Sequence, residues 1–281
     1  MALVDLHLHT TASDGRLTPT QLIELVAGKG LKVVAVTDHD STEGLAEATA
    51  AAARFPQLTL IPGIELSTDV HQSEIHVLGY YIHYHDDGFQ ATLRRFRDGR
   101  ELRARRMVDK LTALGMPLDW ERVQAFAGDG AIGRPHIALA MVERGYIKAP
   151  QEAFLGYIER NGPAYVEREK LTPPEAVRLI ADNGGLAVLA HPAELPDLDR
   201  WLTELKAAGL VGMEVFYGAY PPETVKRLKG FAQVYGLLPC GGSDYHGLGS
   251  DFEATPGDVG PSLEVAEALQ ARRGSLRDAR G

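Results

Sequence analysis

The chain is predicted to be an α/β protein, a β/α frame interrupted by a helical insertion, and three features of the sequence carry that expectation. Short apolar, β-branched runs alternate with amphipathic stretches of helical period. From about 86 to 169 the alternation stops and the pattern becomes helical and highly charged. After residue 170 it resumes, so that roughly seven strand-and-helix units flank the insertion. A length of 281 residues accommodates a β/α barrel of about 200 to 250 residues with an insertion. A hydrophobic content of 44% is enough to fill a sizeable core.

In order, the first strand is read at LVDLHL (3–8), followed by a helix over about 19–29. Thr18 before Pro19 supplies an N-cap with proline in the first helical position. A second strand, VVAVT (33–37), precedes a helix over about 42–53, and two further β runs follow at LTLIPGIEL (58–66) and EIHVLGYYI (74–82). The insertion contains RRFRDGRELRARRMVDKLTALG and is punctuated by Gly115, Gly128, Gly130 and Gly162. Its arginines and lysines at 94–110 read as a solvated helical face. The frame then continues with a helix after Pro173 and Pro174, the run LAVLAHP (186–192), a helix near 197–208, and GMEVF (212–216). Another helix follows Pro221, then LLPCGGSDYH (237–246), and the tail after Gly257 forms one helix and a loose end. The expected organisation is a β/α frame from 1–85 and 170–281 with a helical subdomain at 86–169.

Composition excludes several classes. No segment approaches the roughly 20 apolar residues that span a bilayer, so no membrane partner is expected. MALVDLHLHTT has neither the basic start nor the apolar core of a signal peptide, and Cys240 is the sole cysteine, so cytoplasmic residence is expected. A net charge of -9 argues against duplex DNA as a partner, because such binding rests on many Lys and Arg contacts to phosphates. Small anions stay within reach, since bound cations reverse the local field.

Polar residues with ligand chemistry fall at or just beyond the ends of the expected strands. His7 and His9 close the first, Asp38, His39 and Asp40 follow the second, and Glu65 ends the third. His76 lies inside the next β run, His191 follows LAVLA, and Asp244 and His246 follow LLPCGG. In a β/α barrel that edge is where active sites assemble. His7 and His9 are two residues apart, so strand alternation points both to one face, and within an apolar run unpaired imidazoles would be costly to bury. Asp5 shares their parity at a deeper level. Asp38 reads equally as the cap of a helix beginning near Ser41. An imidazole is a poor cap but a good ligand for zinc, manganese or iron, which favours His39 as a ligand. His71, His83 and His85 read as surface or hydrogen-bonded histidines.

The segments DLHLHTTASDG (5–15), VTDHDSTEG (36–44), PGIELS (62–67), EIHVLGY (74–80), AHP (190–192) and GGSDYHG (241–247) resemble, in order, the motifs of the PHP (polymerase and histidinol phosphatase) superfamily. The resemblance implies a distorted seven-stranded (β/α) barrel holding three divalent cations, with manganese expected first and zinc or iron as alternatives. It implies a first metal on His7, His9, Glu65 and Asp244, and a second, bridged by Glu65, on His76 and His191. A third would rest on Asp14, His39 and His246. Within the insertion, IGRPHIALAMVERG (132–145) resembles a segment of the branch that removes phosphate from nucleotides. There Arg134 and His136 would be catalytic and substrate-binding residues, Arg134 with two parallel hydrogen bonds to phosphate and His136 donating to another oxygen. The same residues also read as a plain helix start with proline in its first turn.

The activity implied is metal-dependent hydrolysis of a phosphomonoester, with nucleoside 3′,5′-bisphosphates as preferred substrates and the 5′ ends of short single-stranded RNA as further ones. Three rivals accompany it. One is histidinol phosphate as substrate. A second is a catalytically silent PHP module serving as a structural partner of a polymerase, which the complete ligand set opposes. The third is an amidohydrolase-like enzyme acting at carbon, for which a lysine at a strand end is lacking.

Overall fold

The computed structural model describes residues 2–70, 73–128, 132–167, 171–218, 220–249 and 253–278, and His71 and Gly130 lie outside them. Seven strands, β1 (Val4–Asp5), β2 (Val33–Val36), β3 (Thr59–Val70), β4 (Ser73–Tyr80), β5 (Leu186–Leu189), β6 (Gly212–Tyr217) and β7 (Leu238–Gly242), form one sheet in sequence order. The sheet rolls into a nearly closed barrel. Neighbours pair in parallel except at β4, which is antiparallel to both β3 and β5. The reversal follows from chain length: β3 ends at Val70 and β4 starts at Ser73, whereas a parallel return needs a crossover of about a dozen residues.

The first strand is shorter than the expected run at 3–8, because the chain past Asp5 spans the seam of the barrel instead of one ladder. Leu6 N–H donates to the Gly241 carbonyl (3.2 Å), Asp244 N–H to the His7 carbonyl (2.9 Å) and His9 N–H to the Tyr245 carbonyl (3.1 Å). Leu8 N–H turns the other way, to Thr37 Oγ1 at 3.2 Å. These bonds satisfy buried backbone groups that a regular ladder would otherwise pair. A core including Leu6, Ile61, Leu78, Tyr80, Val188 and Cys240 fills this unit.

Helix α1 (Pro19–Gly28) begins as expected: Gln21 N–H donates to Thr18 Oγ1 (3.3 Å) while Gln21 Oε1 accepts from Thr18 N–H (2.9 Å). It buries Leu22, Ile23 and Val26. Helix α2 (Leu45–Ala52) starts three residues later than expected, with Gly44 as its cap. Asp38 therefore caps nothing. Helices α3 (Asp87–Ala113), α4 (Trp120–Ala127), α5 (Arg134–Glu143) and α6 (Pro150–Gly156) belong to the insertion, and α7 (Pro173–Asp182), α8 (Leu198–Ala208), α9 (Pro222–Tyr235) and α10 (Leu263–Asp278) to the resumed frame.

The chain divides into two compact units, 1–90 with 170–281, and 91–169. The first turn of α3 goes with the barrel because Gln90 Nε2 donates to Thr42 Oγ1 (2.7 Å) and to the Tyr84 carbonyl (2.6 Å). The second unit has its own core, including Met107, Leu111, Val123, Ile137, Met141 and Ile158. Its basic face is exposed at Arg105, Arg106 and Lys110, with Arg103 half-buried; within it Arg103 donates to the Val166 carbonyl at 2.7 Å and Arg105 sits over the Trp120 ring at 4.2 Å. Among the described residues no helix is long and apolar enough to cross a membrane.

Candidate metal centre

Strand geometry explains how residues distant in sequence meet at one end of the barrel. His7 and His9 leave β1 on one side, and both are buried. Glu65 in β3 pairs with Leu78, and Ser67 with His76, so Glu65 and His76 share a face as diagonal neighbours. The reversed direction of β4 thus brings a residue near its N-terminal end to the edge where the parallel strands finish. His39 lies just past β2 and bridges to Glu65, while His191 follows β5 and Asp244 and His246 follow β7. Gly242 is required at the approach of β7 to β1: a Cβ there would meet Asp5 Oδ1 and His7 N at 2.5 Å. His191 (φ 27°) and Asp244 (φ 55°) both adopt positive φ, which is costly for residues other than glycine and concentrates at functional sites.

Glu65, fully buried, is the centre of the arrangement. Its Oε2 lies 3.1 Å from His7 Nε2, 3.3 Å from His9 Nε2 and 3.1 Å from His39 Nδ1. Its Oε1 lies 2.8 Å from His76 Nδ1 and 3.2 Å from His191 Nε2. Asp244 Oδ1 adds contacts of 3.1 Å to His7 Nε2 and 2.9 Å to His9 Nε2. At the outer rim, Asp14 Oδ1 is 3.3 Å from His246 Nε2, and Asp14 Oδ2 is 3.8 Å from His39 Nε2.

Three sets of ligand atoms each lie within 4.8 Å of one another: His7, His9, Glu65 and Asp244; His39, Glu65 and His76; and His9, Asp14, His39 and His246. The first has the composition expected from the sequence. The second contains His39 where His191 was expected, and His191 joins only through Glu65 Oε1. The third gains His9. His83 and His85 lie outside all three.

The donors fit a divalent cation. His9 Nδ1 and Nε2, His39 Nδ1 and Asp244 Oδ1 are buried without a well-directed hydrogen bond, although His9 and Asp244 stand close together. Such atoms are costly unless something binds them. Mixed imidazole nitrogen and carboxylate oxygen is the donor set that suits zinc, manganese or iron. The field of the cluster also favours cations. Burial opposes the charged form of His7, yet Asp244, Glu214 and Glu65 together hold its imidazole well above its ordinary range. His9 is likewise carried against burial, up to about 10, by Asp244 and Glu65. His39 goes the other way, down to about 3, because burial outweighs the attraction of Glu65. Burial would raise Glu65, but His39, His7 and His76 hold it well below the carboxylate range.

Several residues support the ligands, and three of them, Glu214, Tyr217 and Glu253, were not singled out from the sequence. Glu214, in GMEVF, is fully buried and reaches both His7 and His191. An acid in the middle of an apolar strand is the signal that would have found it. Tyr217 donates its hydroxyl to Asp244 Oδ2 at 2.8 Å. Glu253 accepts from the N–H groups of His246 (2.8 Å), Gly247 (2.8 Å) and Gly249 (3.0 Å), which fixes the loop carrying His246. Asp38 accepts from Thr10 N–H (2.7 Å), Thr10 Oγ1 (2.8 Å) and Ser13 Oγ (2.7 Å), and so shapes the turn that presents Asp14. Asp5 is pushed by burial up to about 7, in spite of hydrogen bonds from Ser243 and His7.

Arg134 and His136 belong to the helical unit, at the start of α5. His136 Nδ1 accepts from Gly133 N–H at 3.0 Å, so the ring caps its own helix and carries its hydrogen on Nε2. The Arg134 guanidinium lies 5.7 Å from the centre of the Phe154 ring.

Comparison with known proteins agrees with this chemistry. The chain is 34% identical over 254 residues to a 3′,5′-nucleoside bisphosphate phosphatase of Chromobacterium violaceum, covering 89% of each. It is 34% identical over 269 residues to a 5′-3′ exoribonuclease of Haemophilus influenzae, covering 94% of this chain and 96% of that protein. A crystal structure from Bifidobacterium adolescentis, described as a metal-dependent phosphoesterase, superposes with a TM-score of 0.80 at 31% identity, covering 96% of each chain. Residues 5–149, which carry four of the six sequence motifs and most of the insertion, match the model of the PHP domain. With Glu65 shared between two groups of histidines in a barrel of this shape, the chain belongs to the PHP domain family and is a metal-dependent phosphoesterase.

Proposed function

We propose that the protein removes a phosphate from nucleotides, with nucleoside 3′,5′-bisphosphates as preferred substrates, from which it releases the 3′-phosphate, and the 5′ ends of short RNA as further ones. The observation that carries the metal-dependent chemistry of this reading is the division of Glu65, one oxygen toward His7, His9 and His39 and the other toward His76 and His191. A carboxylate so placed suits a bridge between two cations. The rim set of Asp14, His39 and His246, with His9 beside them, supports a third. Manganese is our first choice for all three, because the donors mix nitrogen and oxygen and include no thiolate. When bound, divalent cations supply Lewis acidity that lowers the pKa of water and offsets charge on a transferring phosphoryl group.

The chain's own residues supply the rest. Asp14, Glu65 and Asp244 carry fewer negative charges than three dications bring, which leaves a net positive site for a phosphate dianion. Arg134 offers a planar guanidinium for two parallel bonds to phosphate oxygens. His136, with its hydrogen on Nε2, donates a hydrogen bond to a substrate oxygen and so offsets negative charge there. The names of the Chromobacterium violaceum and Haemophilus influenzae relatives support a nucleotide or RNA end as the phosphate carrier.

Phosphate release from adenosine 3′,5′-bisphosphate, a 5′-phosphorylated short RNA and histidinol phosphate, measured with manganese added to metal-stripped protein, tests the proposal. The bisphosphate is expected to turn over fastest. Hydrolysis of histidinol phosphate alone would overturn the choice of substrate.

A further inference from the structure

We propose that Glu214 is a positioning residue for metal binding, whose two carboxylate oxygens fix His7 and His191 at once and present the imidazole of each to a cation. This rests on the reading of His7 and His191 as ligands. Glu214 lies in β6 beside a break in register between Glu214 and Phe216, the kind of irregularity that re-aims a side chain. It is fully buried, so its charge has to be matched by donors. Oε1 lies 3.1 Å from His7 Nδ1, and Oε2 accepts from the backbone N–H of His191 at 2.8 Å.

Each contact has a directional consequence. An ionised carboxylate only accepts, so the hydrogen of a neutral His7 sits on Nδ1. That leaves the lone pair on Nε2, the atom 3.1 Å from both Glu65 Oε2 and Asp244 Oδ1. A histidine that ligates through one nitrogen commonly gives its other N–H to a carboxylate, which fixes ring and tautomer together. At His191 the contact acts through the main chain. That residue stands at φ 27° and ψ 55°, outside the ordinary basins, and the bond to Glu214 holds it there. Its Nε2 is thereby kept 3.2 Å from Glu65 Oε1. A single side chain on β6 thus registers the end of β1 against the end of β5, one ligand from each side of the Glu65 bridge.

The test is Glu214→Gln, which keeps the shape and exchanges one oxygen for an NH2 group. That group must face either His7 Nδ1, driving the hydrogen of His7 onto Nε2, or the N–H of His191, where donor meets donor. One arm is lost in either orientation. Metal affinity of the stripped protein, measured by competition with a chromophoric chelator, is expected to fall by about 10- to 100-fold. Turnover should recover as manganese is raised, and the melting of the metal-free protein should stay near that of the wild type. A folded variant that binds metal as the wild type does would overturn the inference. So would a lowered melt of the metal-free form with unchanged affinity, since that marks a structural role only. If the variant does not fold, nitrogen-15 spectra of histidine-labelled wild-type protein loaded with zinc decide: His7 should carry its hydrogen on Nδ1, and a hydrogen on Nε2 refutes the assignment. A wild-type protein that binds no metal would instead defeat the underlying reading.

Discussion

A histidine among apolar residues has two nitrogens to satisfy, and that obligation is what makes His7 and His9 readable as ligands from the sequence. The structure leaves both nitrogens of His9 without a directed hydrogen bond, so a cation removes a desolvation penalty that the protein alone does not. His7→Ala and Asp244→Asn are therefore expected to lose bound metal and turnover together. Arg134 lies in the other unit at a helix start, so Arg134→Ala is expected to keep its full metal content. The lost charge-assisted bonds should lower kcat/KM by about 10- to 100-fold. Elemental analysis beside phosphate-release kinetics checks both, and equal metal loss in Arg134→Ala would sink the separation of roles. Residues that serve the ligands were harder to read. Glu214 is one acid in a six-residue strand, and only the fold shows that its two oxygens meet His7 and His191. Asp38 was ambiguous because an aspartate before a helix looks the same whether it caps that helix or, as here, ties Thr10 and Ser13 into a turn.

At the scale of elements, punctuation carried the most information. Thr18 and Pro19 mark the start of α1, and Pro173 the start of α7, because caps and first-turn prolines act locally. The direction of β4 shows only in the short gap between the runs ending at 66 and starting at 74, too few residues for a parallel crossover, because a strand's composition is the same whichever way it runs. The consequence is chemical, since an antiparallel β4 explains why His76 lies toward the start of its strand, whereas Glu65 lies within β3 and the remaining ligands follow their strands. The seam between β1 and β7 makes a sharper demand. Gly242→Ala would place a methyl group 2.5 Å from Asp5 Oδ1 and His7 N, so one of the two segments must move. Overpacking of this kind is expected to destabilise the fold by about 1 to 3 kcal/mol. Because Asp244 lies two residues on, metal affinity should fall as well. Urea unfolding and a metal titration measure the two effects, and a variant as stable as the wild type would show that the seam has slack.

Over the whole molecule, every residue of the three ligand sets comes from the barrel unit, whose segments 1–90 and 170–281 are far apart in sequence. A cation held by His7, Glu65 and Asp244 therefore closes contacts between the first and last parts of the barrel, while the helical unit has a core of its own. Binding to the folded form alone stabilises it by about 2.7 kcal/mol when free ligand is a hundredfold above its dissociation constant. That stabilisation should be distributed unevenly. Removing metal with a chelator is expected to speed amide exchange around Leu6–Thr10, Ile64–Ser67, Ile75–Leu78 and Gly242–His246. Exchange in α4 and α5 should stay as it was, because local opening follows the contacts that are lost. Hydrogen-exchange mass spectrometry of the loaded and stripped protein measures this segment by segment, with added manganese reversing the change. Uniform loss of protection through both units would mean that the metals govern global unfolding instead, and that the helical unit does not hold its structure independently of the barrel.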